Sequence, residues 1–365
     1  MASKNDNKKS LVYVALSGGV DSAMAGALLL KQKCRVVGVY MRQYDTELGQ
    51  SDNVAIECSW QKDRRDAISV AAHLDIPFRE WDFRKEYHKD VVDYMITEYK
   101  AGRTPNPDVM CNTYIKFGAF LDRALKEGAD FIATGHYARV KRDSTVGAQL
   151  LQAVDTNKDQ TYFLWGLSQK QLAHCLFPVG DYKKPHVRMM AKKWGIPTAD
   201  KKDSQGVCFI GKISMQDFLQ SKIKPKKGVL MTPDGKKVGE HDGAWYYTIG
   251  QRHGIGFRGG DQSYVVLDKD IKKNIVYVVP MATEKEHFKS SLKFARVHWI
   301  EEKLTFPLKC TARVRYREEL GICTVHKIDE TTYEALFTQP RRAIAPGQAL
   351  VMYKGQKVLG GGLII

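Results

Sequence analysis

Long apolar runs are missing from this 365-residue chain: no stretch approaches the roughly 18 residues that a membrane-crossing helix needs, which excludes a helical membrane protein. The opening, MASKNDNKKS, is polar and lysine-rich. It lacks both the apolar core of a secretory signal and the arginine-rich pattern of a transit peptide. A bacterial cytoplasm is therefore expected, or a mitochondrial matrix if a presequence has been removed. Cysteine is sparse, with 7 residues, an odd number, and none in C-x-x-C spacing. That excludes a disulfide-stapled secreted domain and the common zinc modules, and it fits a reducing compartment. No low-complexity linker and no internal repeat interrupts the chain.

Acidic residues are also in deficit, 41 Asp and Glu against 57 Lys and Arg, which leaves a formal charge of +16. Such an excess attracts polyanions by counterion release, although by itself it marks non-specific attraction rather than a site. With 43% hydrophobic residues and this length, two or three domains with a sizeable core are expected. Up to about residue 140, apolar runs alternate with helical patterns: LVYVAL, then 21–32; RVVGVYM, then DRRDAISVAAHL; PFREWDF, then KDVVDYMITEYKA; and KFGAFLDRALKEG, then FIATGHYA. This alternation predicts a parallel sheet with helices on both faces, and ligands in such sheets bind beyond the carboxyl ends of the strands. From about 212 onward, MTPDGKKVG, YTIGQRHGIGF and VVLDKDIKKNIVYVV predict short strands and hairpins. From about 290, FARVHWI, LKCTARVRYR, CTVHKI, YEALFT and ALVMYKGQKVLGGGLI predict a small all-β module, a barrel.

Ser17, Gly18 and Gly19 fall between the first predicted strand and the first predicted helix. Backbone N–H groups and the helix dipole converge there on a point that favours an anion. The motif is neither GxxxxGK[ST] nor GxGxxG. Asp21 beside an anion site makes sense with Mg²⁺ to offset the charge; the plainer alternative is a glycine turn in which Asp21 and Ser22 cap the helix. SGGVDS resembles the signature of the PP-loop ATP pyrophosphatases, which cleave ATP between its α- and β-phosphates and leave AMP on an acceptor atom. That resemblance alone leaves amide ligation, argininosuccinate formation and sulfur insertion into RNA open.

AGRTPNPDVMCN places two prolines and Asp108 before Cys111, a rigid loop expected to enter the helix of TYIKFGAFLDRAL. A thiol at a helix N-terminus is stabilised as the thiolate, so Cys111 is a candidate nucleophile. Cys208 follows polar residues and a glycine in KKDSQGVCFIG, with lysines nearby. Taken singly, either cysteine is more often a small buried hydrophobe. Cys34, Cys58, Cys175, Cys310 and Cys323 are expected to be structural.

Together AGRTPNPDVMCN, ATGHYARV, DQTYFLW, KKDSQGVCFIG, YTIGQRHGIG and PGQALVMYKGQKVLGGG resemble the tRNA-specific 2-thiouridylases, in that family's order, over almost the whole chain. The resemblance implies three parts. These are an α/β PP-loop ATP pyrophosphatase domain over 1–211, with a parallel sheet of the adenine nucleotide alpha hydrolase-like kind, a small central domain over 212–289, and a C-terminal tRNA-binding β-barrel over 290–365. It implies ATP-dependent 2-thiolation of a tRNA wobble uridine by a tRNA-uridine 2-sulfurtransferase. Adenylylation of the C2 oxygen and sulfur transfer from a cysteine persulfide would yield 2-thiouridine, AMP and pyrophosphate.

By the same resemblance, ATP meets Ala15, Leu16, Ser17, Gly18, Gly19, Val20, Asp21, Ser22 and Met41, with Gly135 approaching closely. Cys208 carries the persulfide, Cys111 attacks it, and a transient Cys111–Cys208 disulfide results. Asn106, Pro107 and Asp108 meet the target base, with Asp108 the candidate acid or base. His136, Lys158, Asp159, Gln160, Arg315, Tyr316 and Gln348 correspond to tRNA contacts. ATP with Mg²⁺, a tRNA with a wobble uridine and a persulfide carrier protein are implied as cofactors and partners, with the chain a monomer. The stretches KSLVY, DYKKPHVRMMAKKW, KIKPKKG and QPRRA are expected to line the tRNA path. Where many members of that family carry Asn-Trp shortly after the nucleotide-binding Met, this chain reads MRQYDTELGQ, so the resemblance carries over no role for that pair. Two rival functions remain open on sequence: another AMP-forming PP-loop ligase, which needs no paired thiols, and a non-catalytic RNA-binding protein, which consumes no ATP.

Overall fold

A computed structural model describes residues 9–44, 59–203, 215–255, 263–301 and 303–365. Cys58 and Cys208 lie outside the described residues. The chain divides into two compact units. One comprises Met1–Val91, Asp108–Gly211 and Gln356–Val358, the other Val92–Pro107, Lys212–Gly355 and Leu359–Ile365.

The first unit is built on β1 (Leu11–Ala15), β2 (Arg35–Arg42), β3 (Phe78–Asp82), β4 (Phe131–Ala133) and a short strand at Cys175–Leu176. They form a five-stranded sheet in the order β3-β2-β1-β4-(Cys175–Leu176), every pairing parallel. Helix α1 (Val20–Lys31) connects β1 to β2, and α2 (Ser59–His73) precedes β3. Alternation along β1 sorts its side chains to two faces. Val12 and Val14 join one core with Ala23 and Ala27 of α1, Ala67 and Val70 of α2, and Val187 and Ala191 of the helix Lys184–Lys193. Tyr13, on the opposite face, packs on Trp81 at 5.6 Å between ring centroids, and Trp81 packs on Phe120 at 5.5 Å. Helices therefore cover both faces, as the strand–helix alternation predicts. An antiparallel hairpin, β5 (Ala138–Asp143) with β6 (Gly147–Gln152), follows β4. It has no counterpart in the sequence pattern, because its strands carry too few apolar residues to stand out.

In the second unit, a helix at Met215–Lys222 precedes four strands. These are Gly228–Met231, Lys237–His241, Tyr264–Asp270 and Ile275–Pro280, the central pairing parallel and the outer two antiparallel. The six strands Lys289–Trp299, Leu308–Arg313, Gly321–Lys327, Tyr333–Arg341, Ala349–Lys354 and Lys357–Ile364 then form the barrel. Antiparallel pairing between Lys289–Trp299 and Lys357–Ile364 closes it. Closure removes the free edges that an open sheet would expose. Every second residue points inward: Cys310 and Ala312, Cys323 and Val325, Tyr333, Ala335 and Phe337, Leu350 and Met352. Cys310 and Cys323 face each other across one strand pair with their sulfurs 3.5 Å apart. With Cys175 they are buried, as structural cysteines should be, while Cys34 is half-buried.

Phe294 sits at the closure, fully buried, paired with Tyr333 on one side and Ile364 on the other. Its ring stacks on Tyr333 at 5.6 Å. Phe294→Ala should cost about 3–5 kcal/mol and accelerate amide hydrogen exchange across the barrel strands. Unchanged exchange there would mean that the closure does not depend on this ring.

Candidate active site

The turn between β1 and α1 is held by its own side chains. Ser22 Oγ donates to the Gly19 carbonyl at 3.0 Å and accepts from the Ser17 amide at 3.2 Å. Gly18 adopts φ of 71°, and a Cβ there would overlap the backbone carbonyl of Asp63. The turn is thus possible only with glycine at that position. No side chain caps α1 at Gly19, so the capping role considered for Asp21 and Ser22 is not what they do. The first amide groups of an α-helix have no partner within it, and here they follow the glycine turn as an anion cradle. Gly135, just after β4, lies so close to this helix start that a Cβ would sit 2.5 Å from the Ser22 nitrogen. Met41 lies at the carboxyl end of β2, beside β1. Ala15 to Ser22, Met41 and Gly135 are therefore gathered at the carboxyl ends of three adjacent strands.

Asp21 points away from the cap position and into an ion-pair chain. Lys184 Nζ donates to both of its carboxylate oxygens, at 2.8 and 2.6 Å, and the Tyr137 hydroxyl donates to Oδ1 at 2.9 Å. The same ammonium reaches Asp203 at 2.8 Å, which also receives Lys158 and Arg188 at 2.7 Å each. Burial disfavours charge on Asp203, but Lys158 and Lys184 outweigh it and hold its pKa far below the usual carboxylate range. Burial and the neighbouring Asp21 carboxylate push the Tyr137 hydroxyl far upward, so it stays a donor. Among the described residues no three or more His, Cys, Asp or Glu side chains cluster to hold an ion. An Mg²⁺ at Asp21 would have to share or displace the Lys184 contact.

Cys111 is not at the start of its helix, as the two prolines suggest, but one turn in. The helix opens at Pro107–Met110 and becomes π-helical over Cys111–Ala119, then α-helical over Phe120–Lys126. Proline suits the first helical position because its missing N–H would be unpaired there anyway. Cys111 is 4% exposed, and the Gln43 amide nitrogen lies 3.7 Å from its sulfur. Next to it, Asn112 Nδ2 donates to the Phe163 carbonyl at 3.1 Å. Burial raises the Asp108 pKa, with Lys116 opposing. His136 is buried, 2.8 Å from Thr134 Oγ1 through Nδ1, and burial together with Lys116 drives its pKa well down, leaving a neutral ring.

The residues matched to tRNA contacts divide sharply. Asp159 is 1% exposed and accepts from the Thr161 hydroxyl and the Ala153 amide. Gln160 Oε1 accepts from the Tyr137 amide at 2.9 Å. In the second unit, Arg315 donates to the carbonyls of Ala343 and Ile249, and Arg317 lies over the Tyr316 ring. Gln348 donates to the Thr104 and Pro105 carbonyls, fixing the backbone just before Asn106 and Pro107. The basic runs are likewise partly committed. Arg342 pairs with the buried Glu284, Arg341 with Glu318, and Lys192 with Asp200.

Sequence reasoning missed Lys184, Tyr137, Lys116 and Gln43. Only Lys116 carried a signal, five residues after Cys111 on the same helix; the others act across the fold. Lys184→Met should destabilise the first unit by about 2 kcal/mol, because the partly buried Asp21 carboxylate loses its ammonium partner while Asp203 keeps Lys158 and Arg188. Asp21→Asn in the same chain should recover part of it in urea denaturation. Additive losses would contradict the coupling.

A tRNA methyl transferase HUP domain model matches residues 10–212, a tRNA methyl transferase PRC-barrel domain model 216–280, and an Aminomethyltransferase beta-barrel domain model 289–364. Two proteins of Streptococcus thermophilus, from strains CNRZ 1066 and LMD-9, are each named tRNA-specific 2-thiouridylase MnmA. Each is 46% identical over 364 residues, covering 98% of this chain and 96% of theirs. A 4-thiouridine synthetase in complex with RNA and ATP overlays at a TM-score of 0.34 and 15% identity, over 59% of this chain and 50% of its own, too distant to bear on the assignment. With nearly half of all positions identical from end to end, this chain belongs to the tRNA-specific 2-thiouridylase family.

Proposed function

We propose that this chain is a tRNA-uridine 2-sulfurtransferase, replacing the C2 oxygen of a wobble uridine with sulfur at the expense of ATP. The observation that carries this reading is end-to-end kinship with 2-thiouridylases. A buried Cys111 and the SGGVDS turn in one unit are the parts such a reaction needs. The domain division is 1–211, 212–289 and 290–365, with the barrel as tRNA-binding part. No helix of the described residues is long and apolar enough to cross a membrane, and we assign the protein to the bacterial cytoplasm.

A carbonyl oxygen is a poor leaving group, so the first step transfers AMP from ATP to the C2 oxygen and releases pyrophosphate. Residues 15–22, Met41 and Gly135 hold the nucleotide, the glycine turn and the α1 amide groups receiving its phosphates. Asp21 would be the residue to hold a Mg²⁺ bound with the triphosphate, sharing its carboxylate with Lys184, and the ion would supply charge to offset the phosphates. Asn106, Pro107 and Asp108 receive the base, which must leave the anticodon stack. Asp108, its carboxyl pKa raised by burial, is suited to exchange a proton near the base. A carrier protein places a sulfane sulfur on Cys208. The Cys111 thiolate attacks the Cys208 sulfur, forming the Cys111–Cys208 disulfide and expelling hydrosulfide. Hydrosulfide adds at C2, the C–O bond breaks, and AMP departs with the former carbonyl oxygen. Two thiol electrons have reduced the sulfane sulfur, so an external dithiol must reopen the disulfide. Direct transfer of the persulfide sulfur to C2 is the alternative route.

His136, Asp159 and Gln160 hold their side chains inward. They shape the tRNA surface by fixing backbone, while Lys158, paired with Asp203, and Tyr316, under Arg317, are half-exposed and meet tRNA alongside those partners.

With unmodified tRNA, ATP, Mg²⁺ and sulfide, the purified protein should form 2-thiouridine, detected by mass spectrometry of nucleosides, together with pyrophosphate. Neither product under any sulfur supply would overturn the assignment. Cys208→Ser should abolish transfer from a protein persulfide while still releasing pyrophosphate. Loss of pyrophosphate release in that variant would exclude a role for Cys208 confined to carrying the persulfide.

A further inference from the structure

We propose that Gln43 is a positioning residue for Cys111, its side-chain amide orienting the sulfur and stabilising negative charge on it. The inference rests on the reading of Cys111 as the sulfur nucleophile. It begins from a contact that joins two segments 68 residues apart, Gln43 Nε2 donating to Cys111 Sγ at 3.7 Å. Cys111 is 4% exposed, so bulk water cannot solvate a thiolate there. A buried anion forms only where fixed donors replace water. Cys111 also sits one turn inside its helix, where the amide groups next to it are engaged in helical bonding rather than free at the terminus. The helix start alone therefore does not explain a reactive thiol, and a side-chain donor from another element does.

The donor is itself held in place. Gln43 follows the last residue of β2, where Arg42 lies over the Trp60 ring at 4.6 Å, and Tyr44 meets the Tyr87 ring edge-on at 6.5 Å. Ring contacts on either side hold the flanking residues, so the amide reaches Cys111 from just beyond the end of β2. Gln43 thus has a role that the sequence resemblance leaves unassigned.

Ionisable groups on this helix and on the elements packed against it set the controls. Asp108 and Lys116 lie on its own helix, His136 follows β4, and Arg84, Lys85, Glu86 and Tyr87 come from the short helix packed against it. Arg84 is engaged by Asp82, and His136 is held neutral. None of these changes when Gln43 is varied, so a charge series at position 43 isolates its contribution.

The test uses the full-length chain with Gln43→Ala, Gln43→Glu and Gln43→Lys, without ATP or tRNA. The Cys111 thiol pKa is read from ultraviolet thiolate absorbance, each variant minus its Cys111→Ser counterpart. Gln43→Ala should raise the pKa by about one unit, Gln43→Glu should raise it further, and Gln43→Lys should bring it back to or below the starting value. The acid limb of the thiolation pH profile should move by the same amounts. A merely structural role would lower thiolation in all three variants without ordering the pKa by charge, and that result would overturn the proposal. So would a lower pKa in Gln43→Ala, which would mean that the thiol donates to the amide oxygen. Because the pKa needs no substrate, absence of 2-thiouridine in the wild type would retire the reaction, whereas an unmoved pKa in an active enzyme would retire Gln43.

Discussion

One ammonium group ties the glycine turn at the start of α1 to Asp203. Lys184, 6% exposed, is shared between Asp21 of the glycine turn and Asp203. Without it Asp21 would keep the Tyr137 hydroxyl and Asp203 would keep Lys158 and Arg188, but the tie between the start of α1 and Asp203 would be lost. Its own backbone amide is tied to Asp155, so the lysine is anchored at both ends. The Tyr137 hydroxyl completes the set from the strand side, next to the glycine that lets β4 approach α1. The anion cradle is therefore held by charge as well as by backbone shape. A ligand that brings cations of its own must exchange with Lys184.

Cys111 has the opposite surroundings. Asp21 and Asp203 are carboxylates matched to cations, whereas Cys111 is buried with an amide contact and an unusual π-helical stretch beginning at its own position. Such stretches widen a helix and often occur at functional sites. In the second unit the same economy of contacts appears at Gln348, which grips the backbone ahead of Asn106, and at Arg315, which grips two carbonyls. Residues that resemble RNA contacts in sequence act here on the chain itself. Several runs that look uniformly basic are partly committed to ion pairs within the chain, so their composition overstates the charge they offer.

The fold was legible wherever hydrophobic period and turn chemistry agreed. LVYVAL, RVVGVYM and FIA gave strands because β-branched and aromatic residues fill both faces of a covered parallel sheet. The barrel was legible from inward alternation such as Cys310 with Ala312 and Tyr333 with Ala335. The site was legible where its residues are adjacent in the chain, as in SGGVDS. It was not where partners come from afar: Lys184 is 163 residues from Asp21, and no local pattern encodes that pair. The helix start before Cys111 was misplaced because Pro107 reads equally as a loop residue and as a first helical residue. Gln43 was hidden for the same reason as Lys184, since an isolated glutamine at a strand end carries no periodic signal.

The whole reaction turns on the uridine C2 oxygen leaving attached to AMP. Heavy-oxygen labelling at C2 of the wobble uridine, followed by mass spectrometry of the nucleotide products of one turnover, probes that step without intermediaries. The label should appear in the phosphate of AMP, with one labelled oxygen for each 2-thiouridine formed. Label released to water, with AMP unlabelled, would contradict adenylylation of the C2 oxygen.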